Sequence, residues 1–189
     1  MLKIGLIMGS TRPIRKADIV AKWVHDIARR RSDAEFELVD IKDFKLPLLD
    51  EPLSAVFGQY THQHTKTWSA KIASFDAYVF VTPEYNHSTS GALKNAIDFL
   101  HSEWHNKAAG FVGYGGAAAG ARAIENLRLV LGELQVADVR AHVGLSLFDD
   151  FESFTTFKPR PQQEKAVESM LDQLIAWGSA LKPLREKIA

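Results

Sequence analysis

The sequence contains no cysteine. That removes disulfides, thiolate metal centres and cysteine nucleophiles from consideration. It also lacks net charge, since 23 Lys and Arg balance 23 Asp and Glu. A nucleic-acid partner draws on a cationic excess, so none is expected. No apolar run approaches the roughly 20 residues that cross a bilayer. The opening run of residues 1–7 is too short for a secretory signal and leads straight into a polar loop. No membrane partner is expected, and the cytoplasm is the expected location. The rest is ordinary for a globular chain: 189 residues, 46% apolar and 24% charged. That suffices for one domain spanning 1–189 with a sizeable core.

Apolar runs alternate with helical periodicity along the chain. Residues 2–8 read as a buried strand. Ala17, Val20, Ala21, Val24, Ile27 and Ala28 then recur at helical spacing up to Arg29-Arg30-Arg31, where cations suit the helix dipole. Phe36, Leu38 and Val39, closing on Asp40, form a second strand. Further strands fall at 77–81, around Phe111-Val112 and at 136–143. Between them lie helices around Trp68 and Ile72, over Ala92, Leu93, Ala96, Ile97 and Leu100, and at 118–134. A last amphipathic helix carries Val167, Met170, Leu171, Leu174, Ile175 and Leu181 and is expected to stop near Pro183. Strands that alternate with helices require right-handed crossovers and a parallel sheet covered on both faces. Five such units fit an α/β flavodoxin-like doubly wound sheet of order 2-1-3-4-5.

Three Gly-, Ser- or Asn-rich corners end strands of this pattern. The first is Gly9-Ser10-Thr11-Arg12-Pro13-Ile14-Arg15. A loop entering a helix offers backbone N–H groups to an anion. Ser10 and Thr11 add hydroxyls, while Arg12 and Arg15 add charge-assisted donors, so the corner suits a phosphate. A plain capped turn with solvated arginines is the competing account, but two arginines exceed what capping requires. The second corner, Pro83-Glu84-Tyr85-Asn86-His87-Ser88, is a rigid polar turn with a flat Tyr85 face. The third, Gly113-Tyr114-Gly115-Gly116-Ala117, is a wall nearly free of side chains. Both suit a planar ring, although each also reads as a tight strand-to-helix turn. In an open parallel sheet such loops converge on one crevice at the carboxyl ends of the strands.

Several motifs fail on inspection. Residues 113–118 satisfy the relaxed G-x-G-x-x-A fingerprint, yet they sit in the fourth unit rather than the first, and Asp138 lies inside the fifth strand. After Gly115 and Gly120 come Ala121-Arg122, so no P-loop is present. His101 and His105 share a helix face if that stretch is helical, but H-S-E-W-H is not a zinc-protease motif and no third ligand is evident. There is no G-x-S-x-G elbow. No metal site and no catalytic side chain are expected. Residues 44–60, with Pro47, Pro52 and Gly58 among apolar residues, read as a long loop. Its Phe44, Leu46, Leu48, Phe57 and Tyr60 suit an acceptor wall, a subunit contact or the loop's own core equally. The Phe-rich stretch 148–157 is equally open.

Taken together, Gly9-Ser10-x-Arg12-x-x-Arg15, Pro83-Glu84-Tyr85-Asn86, the run from Ser90-Gly91 to Ile97-Asp98, and Gly115-Gly116 with Gly120-Ala121-Arg122 behind it resemble the NADPH-dependent FMN reductase family over roughly residues 1–145. The resemblance implies FMN as cofactor and NADPH or NADH as hydride donor. It implies that Ser10, Arg12 and Arg15 hold the FMN phosphate, that Pro83, Glu84, Tyr85 and Asn86 line the isoalloxazine, and that Tyr114, Gly115 and Gly116 border its pyrimidine side. It further implies a flavin, quinone or azo compound as acceptor, and a homodimer or homotetramer. His87 stands where many relatives have Gly or Arg, and Ala121 where many have Gly. A flavodoxin-like electron carrier and a flavin-binding sensor are the competing functions. Zero net charge weakens the carrier, because carriers commonly present an acidic docking face.

Overall fold

The protein's structure, a computed structural model, describes residues 1–186; the last three residues of the expected 1–189 domain lie outside the described residues. Five parallel strands form the central sheet: β1 (Leu2–Met8), β2 (Ala34–Asp40), β3 (Ala77–Pro83), β4 (Lys107–Gly115) and β5 (Val136–Ser146). Their order is β2-β1-β3-β4-β5, the flavodoxin-like order expected from five βα units. β3 and β4 are buried at every position, as central strands covered on both faces are.

Each face of the sheet carries its own core. α1 (Ala17–Ala28) and α5 (Pro161–Glu186) cover one face, packing Val20, Val24, Met170 and Leu174 against Leu6, Val79 and Val112. α2 (Gln63–Ala73), α3 (Gly91–Asp98) and α4 (Ala121–Glu133) cover the other, where Ile7, Phe80 and Phe111 meet Trp68, Ile97 and Leu127. Strand neighbours thus alternate between the two cores, the period-two rule of a pleated sheet. Within the second core Trp68 donates its indole N–H to Ala96 O at 2.7 Å, and Trp104 donates to Ile97 O at 3.2 Å.

Several boundaries depart from expectation. α5 runs through Pro183 to Glu186. Proline removes one helical hydrogen bond, but Lys182 and Arg185 bind Asp76 and Arg185 also donates to Asn106 O, so the last turn is held from outside. Residues 101–105 are not an α-helix. A short 3-10 turn at Ser102–Trp104 swings Trp104 into the core, and the two histidine rings meet edge to face at 4.5 Å. The long loop after β2 holds two single 3-10 turns, Ile41–Phe44 and Ala55–Phe57. Its contents divide: Phe44, Leu46 and Tyr60 pack on the second core, whereas Leu48 and Phe57 are exposed. The Phe-rich stretch folds into a small hairpin, β6 (Phe151–Glu152) and β7 (Thr156–Phe157), beside α1.

Candidate functional site

The order reverses direction between β1 and β3, so the crossovers diverge there and leave a crevice at the carboxyl ends of the strands. Backbone hydrogen bonds tie the three corners together across it. Gly9 N–H donates to Val81 O at 2.8 Å, joining the first corner to β3. Glu84 N–H donates to Tyr114 O at 2.9 Å, joining the second to the third, and Leu147 N–H donates to Gly115 O at 2.8 Å. The Ser90 hydroxyl donates to Gly9 O and accepts from Leu93 N–H, so one side chain both caps α3 and pins the first corner.

The result is a cleft of about 330 Å³ lined by all three corners. Eight of the ten predicted residues line it: Arg12, Arg15, Pro83, Glu84, Tyr85, Tyr114, Gly115 and Gly116. Ser10 is fully buried behind Tyr85, with the two hydroxyl oxygens 3.3 Å apart. Asn86 is exposed at the apex of the second corner. Asn86 and His87 have φ of 49° and 66°, and Tyr85 and Ser88 exchange backbone hydrogen bonds of 2.9 and 3.1 Å across them. That is the pattern of a type I′ turn, whose central positions favour Asn.

The charged side chains at the cleft have protein partners. Arg15 binds Asp18 and both oxygens of Asp40, and donates to Ser10 O. Burial works against ionisation of Asp40, but Arg15 and the Lys42 N–H outweigh it and hold its pKa below the ordinary value. Arg15 therefore reaches the cleft as the centre of an ion-pair network joining the first corner to the end of β2. Arg12 is the freer cation, with its guanidinium carbon 5.6 Å from the Tyr85 ring centre. The Glu84 carboxylate is taken up by Arg122 of α4, which donates from N at 3.2 Å, from Nε at 2.6 Å, and from Nη2. Arg122 Nη1 also meets His87 Nε2 at 2.7 Å, and Asn126 donates to His87 O. This clamp fastens the second corner to the helix that follows the third.

Tyr114 is different. Its hydroxyl is buried near Ser10 and Tyr85 without a well-formed hydrogen bond, and burial pushes its pKa above the ordinary phenol value although the Ser10 hydroxyl and Arg15 work against the rise. A neutral buried hydroxyl left unpaired costs about 1–3 kcal/mol, so a polar ligand atom in the cleft would relieve it.

Residues 2–150 match the family model described as NADPH-dependent FMN reductase. The chain belongs to the NADPH-dependent FMN reductase family. It is 42% identical over 149 residues to an NAD(P)H-dependent FMN reductase of Nectria sp, covering 74% of each chain. It is 30% identical over 185 residues to a quinone reductase of Pseudomonas putida, covering 92% of this chain and 93% of that one. Its fold is like that of FerB, a flavoenzyme NAD(P)H:(acceptor) oxidoreductase of Paracoccus denitrificans, with a TM-score of 0.74 at 20% identity over 95% of this chain and 98% of that one.

The cleft of this FMN reductase-family chain fits a flavin mononucleotide. The first corner leads into α1, whose Lys16 N-cap makes no side-chain capping bond, so the first-turn N–H groups remain available to an anion. The orphaned Tyr114 hydroxyl supplies a further donor beside it. Gly115 and Gly116 leave backbone as the wall, and among the described residues the larger hollows lined by Leu49 to Leu134 and by Glu125 to Trp177 combine no such features. Ile14, Lys16 and Leu147 also line the cleft and were not singled out from sequence. The signal for Leu147 was the end of β5, which runs three residues past the expected 136–143.

Proposed function

We propose that the chain is one FMN-binding domain whose three corners hold the cofactor for two-electron reduction of small molecules by NAD(P)H. The observation that carries this reading is the meeting of loops from residues 9–16, 83–88 and 113–117 in one cleft. In that assignment Arg12, the hydroxyls of Ser10 and Thr11 and the first-turn amides of α1 hold the phosphate. Arg15 acts through Asp40 and Ser10, fixing the shape of the phosphate corner rather than bearing its charge alone. Pro83, Glu84, Tyr85 and Asn86 support one side of the ring, and Tyr114, Gly115 and Gly116 the other. In this reading the backbone at the Asn86 turn donates to a ring nitrogen.

Bound FMN supplies the hydride chemistry between NAD(P)H and an acceptor, so the chain needs no nucleophile or general acid of its own. The side chains bind, orient and exclude water. The acceptors we assign are flavins, quinones or azo compounds, by likeness to an NAD(P)H-dependent FMN reductase, a 2-hydroxy-1,4-benzoquinone reductase of Burkholderia sp and an NADPH azoreductase of Bacillus sp. We place the protein in the cytoplasm as a homodimer or homotetramer. Support for self-association comes from Leu48, Leu49, Leu53, Val56 and Phe57, all exposed on the loop after β2.

The test is direct. Purified protein is mixed with FMN, its affinity is measured by quenching of flavin fluorescence, and anaerobic NADPH is then added. Binding followed by bleaching of the flavin band and turnover with a quinone is expected. Absence of FMN binding overturns the site. Binding without bleaching by NADPH or NADH would instead make the chain a carrier or sensor.

A further inference from the structure

We propose that Phe148 and Phe154 form an aromatic brace at the mouth of the cleft that selects planar, ring-bearing electron acceptors over small inorganic ones. The inference rests on the reductase reading above and adds the residues that choose its acceptor.

β5 delivers Leu147 to the cleft lining, and the next residue turns its ring across Gly116. A Cβ on Gly116 would lie 3.7 Å from Phe148 Cε2. Phe154 meets Phe148 edge to face, with ring centres 5.5 Å apart and planes at 80°. The two rings stay 60% and 55% exposed. Their neighbours in sequence behave otherwise: Phe151 and Phe157 pack together at 5.0 Å, and Phe157 packs on Trp23. The same short segment therefore turns two phenyl rings into the protein and leaves two exposed, Phe148 beside Gly116 of the cleft wall and Phe154 against Phe148.

The base of the segment that presents them is held by hydrogen bonds. Asp150 is fully buried and accepts from Ser146 N–H, Arg160 N–H, the Arg160 guanidinium and Gln163 Nε2. Phe148 N–H donates to the Ser146 hydroxyl at 3.1 Å. At the hairpin tip Ser153 and Phe154 have φ of 49° and 58°, closed by a Thr155 N–H to Glu152 O bond of 3.1 Å. Those positions favour Gly and Asn, and a bulky aromatic there is strained. Ile14, almost fully exposed and with φ of 54°, lines the same cleft. Apolar side chains thus stand at this mouth in backbone conformations that disfavour them, the pattern found where function opposes local preference. Two rings at right angles give a planar guest one face to stack on and one edge to abut. The occupant we assign is a quinone-class ring at the mouth of the cleft.

The experiment uses the FMN-loaded full chain and the variants F148A, F154A and F154N. It compares kcat/KM for 1,4-naphthoquinone and for ferricyanide, calorimetric affinity for the redox-inert ring 2-naphthol, melting temperature, and mass in solution. Each alanine variant is expected to weaken 2-naphthol binding and to lower the quinone-to-ferricyanide ratio about fivefold. F154N is expected to lose the same selectivity while melting no lower than the parent, because Asn suits a positive φ. The brace is overturned if the ratio and the 2-naphthol affinity stay unchanged, or if both acceptors decline together. It is also overturned if the variants change mass, which would make the rings a contact between copies. A parent protein that reduces neither acceptor refutes the reductase reading; 2-naphthol affinity then still decides the brace, which falls if the variants bind it as the parent does.

Discussion

Truncating Arg122 should show that the second corner is held by electrostatics rather than by packing alone. Glu84 is only 5% exposed at its side chain, whereas Arg122 is 45% exposed. In R122A the carboxylate keeps just one of its donors, the backbone N–H of residue 122. An unpaired buried charge costs about 3–5 kcal/mol, and water entering the space left by the half-exposed arginine lowers this to about 2–3 kcal/mol. Removing the charge from the other side is cheaper. E84Q keeps the shape and leaves an arginine that water can solvate, a loss of about 1 kcal/mol. In the double variant R122A/E84Q no buried charge remains, so its cost should fall below that of R122A alone, with a coupling of at least about 1 kcal/mol.

Urea denaturation of the four proteins without flavin gives the cycle, and FMN titration gives the functional arm. Loosening a corner that must hold its bound shape raises the apparent Kd in proportion to the time it spends elsewhere, so a corner competent a tenth of the time weakens FMN about tenfold. R122A should show this weakening and E84Q much less. Additive losses, with the double variant the least stable of all, would refute the argument, because they would mean that the arginine acts through its stem and not through the Glu84 charge.

Other perturbations read other parts of the structure. Gly120 has φ of 86°, and a Cβ there would sit 2.5 Å from Gly113 C and 2.6 Å from its Cα; G120A should destabilise by about 3 kcal/mol or more in urea and abolish FMN binding. Burial, reinforced by nearby Arg185, pushes the Lys107 ammonium down to about 7 although it donates to Ile72 O, Ala73 O and Tyr78 Oη. The unfolded chain then binds more protons above pH 7, so stability should rise by about 2 kcal/mol from pH 7 to 9, and K107M should flatten that rise. Desolvation opposes ionisation of Glu51, yet the nearby Thr65 hydroxyl and bonds from the Thr61 and His62 N–H groups hold its pKa at about 2. Its contribution is present above the ordinary carboxyl pKa and lost as pH falls from about 4.5 toward 2; urea midpoints over that range should drop less steeply in E51Q.

The sheet was legible in the sequence because parallel, doubly covered strands must be apolar on both faces, and because each corner breaks that run with Gly, Ser or Asn. Five βα units with right-handed crossovers fit the flavodoxin-like strand order, which is the order found. The cleft was legible for the same reason: where strands end is where loops meet. Partner choice was not legible. Arg15 and Asp40 are 25 residues apart and meet only because β1 and β2 pair in register, Met8 opposite Asp40. Glu84 and Arg122 meet because α4 begins beside the end of β3, a consequence of close packing between Gly113 and Gly120. A charged residue read at a cleft from sequence is a candidate ligand, but the structure can spend it on another side chain first.

That distinction changes how the phosphate corner works. Of its three cations, Arg15 is committed to two carboxylates, Lys16 lines the cleft with its amine 5.9 Å from the Phe151 ring centre, and Arg12 lies against Tyr85. Arg15 with Asp18 and Asp40 sums to one negative charge, so direct attraction for a phosphate dianion must come from Arg12, Lys16 and the α1 amides. The same ion pairs fix Ser10 O and the path of residues 10–15 before a ligand arrives. Arg15 thereby contributes preorganisation, which cuts the ordering cost of binding without adding a contact. Replacing it should slow and weaken capture without changing which anion is preferred, whereas replacing Arg12 should weaken the phosphate contact itself.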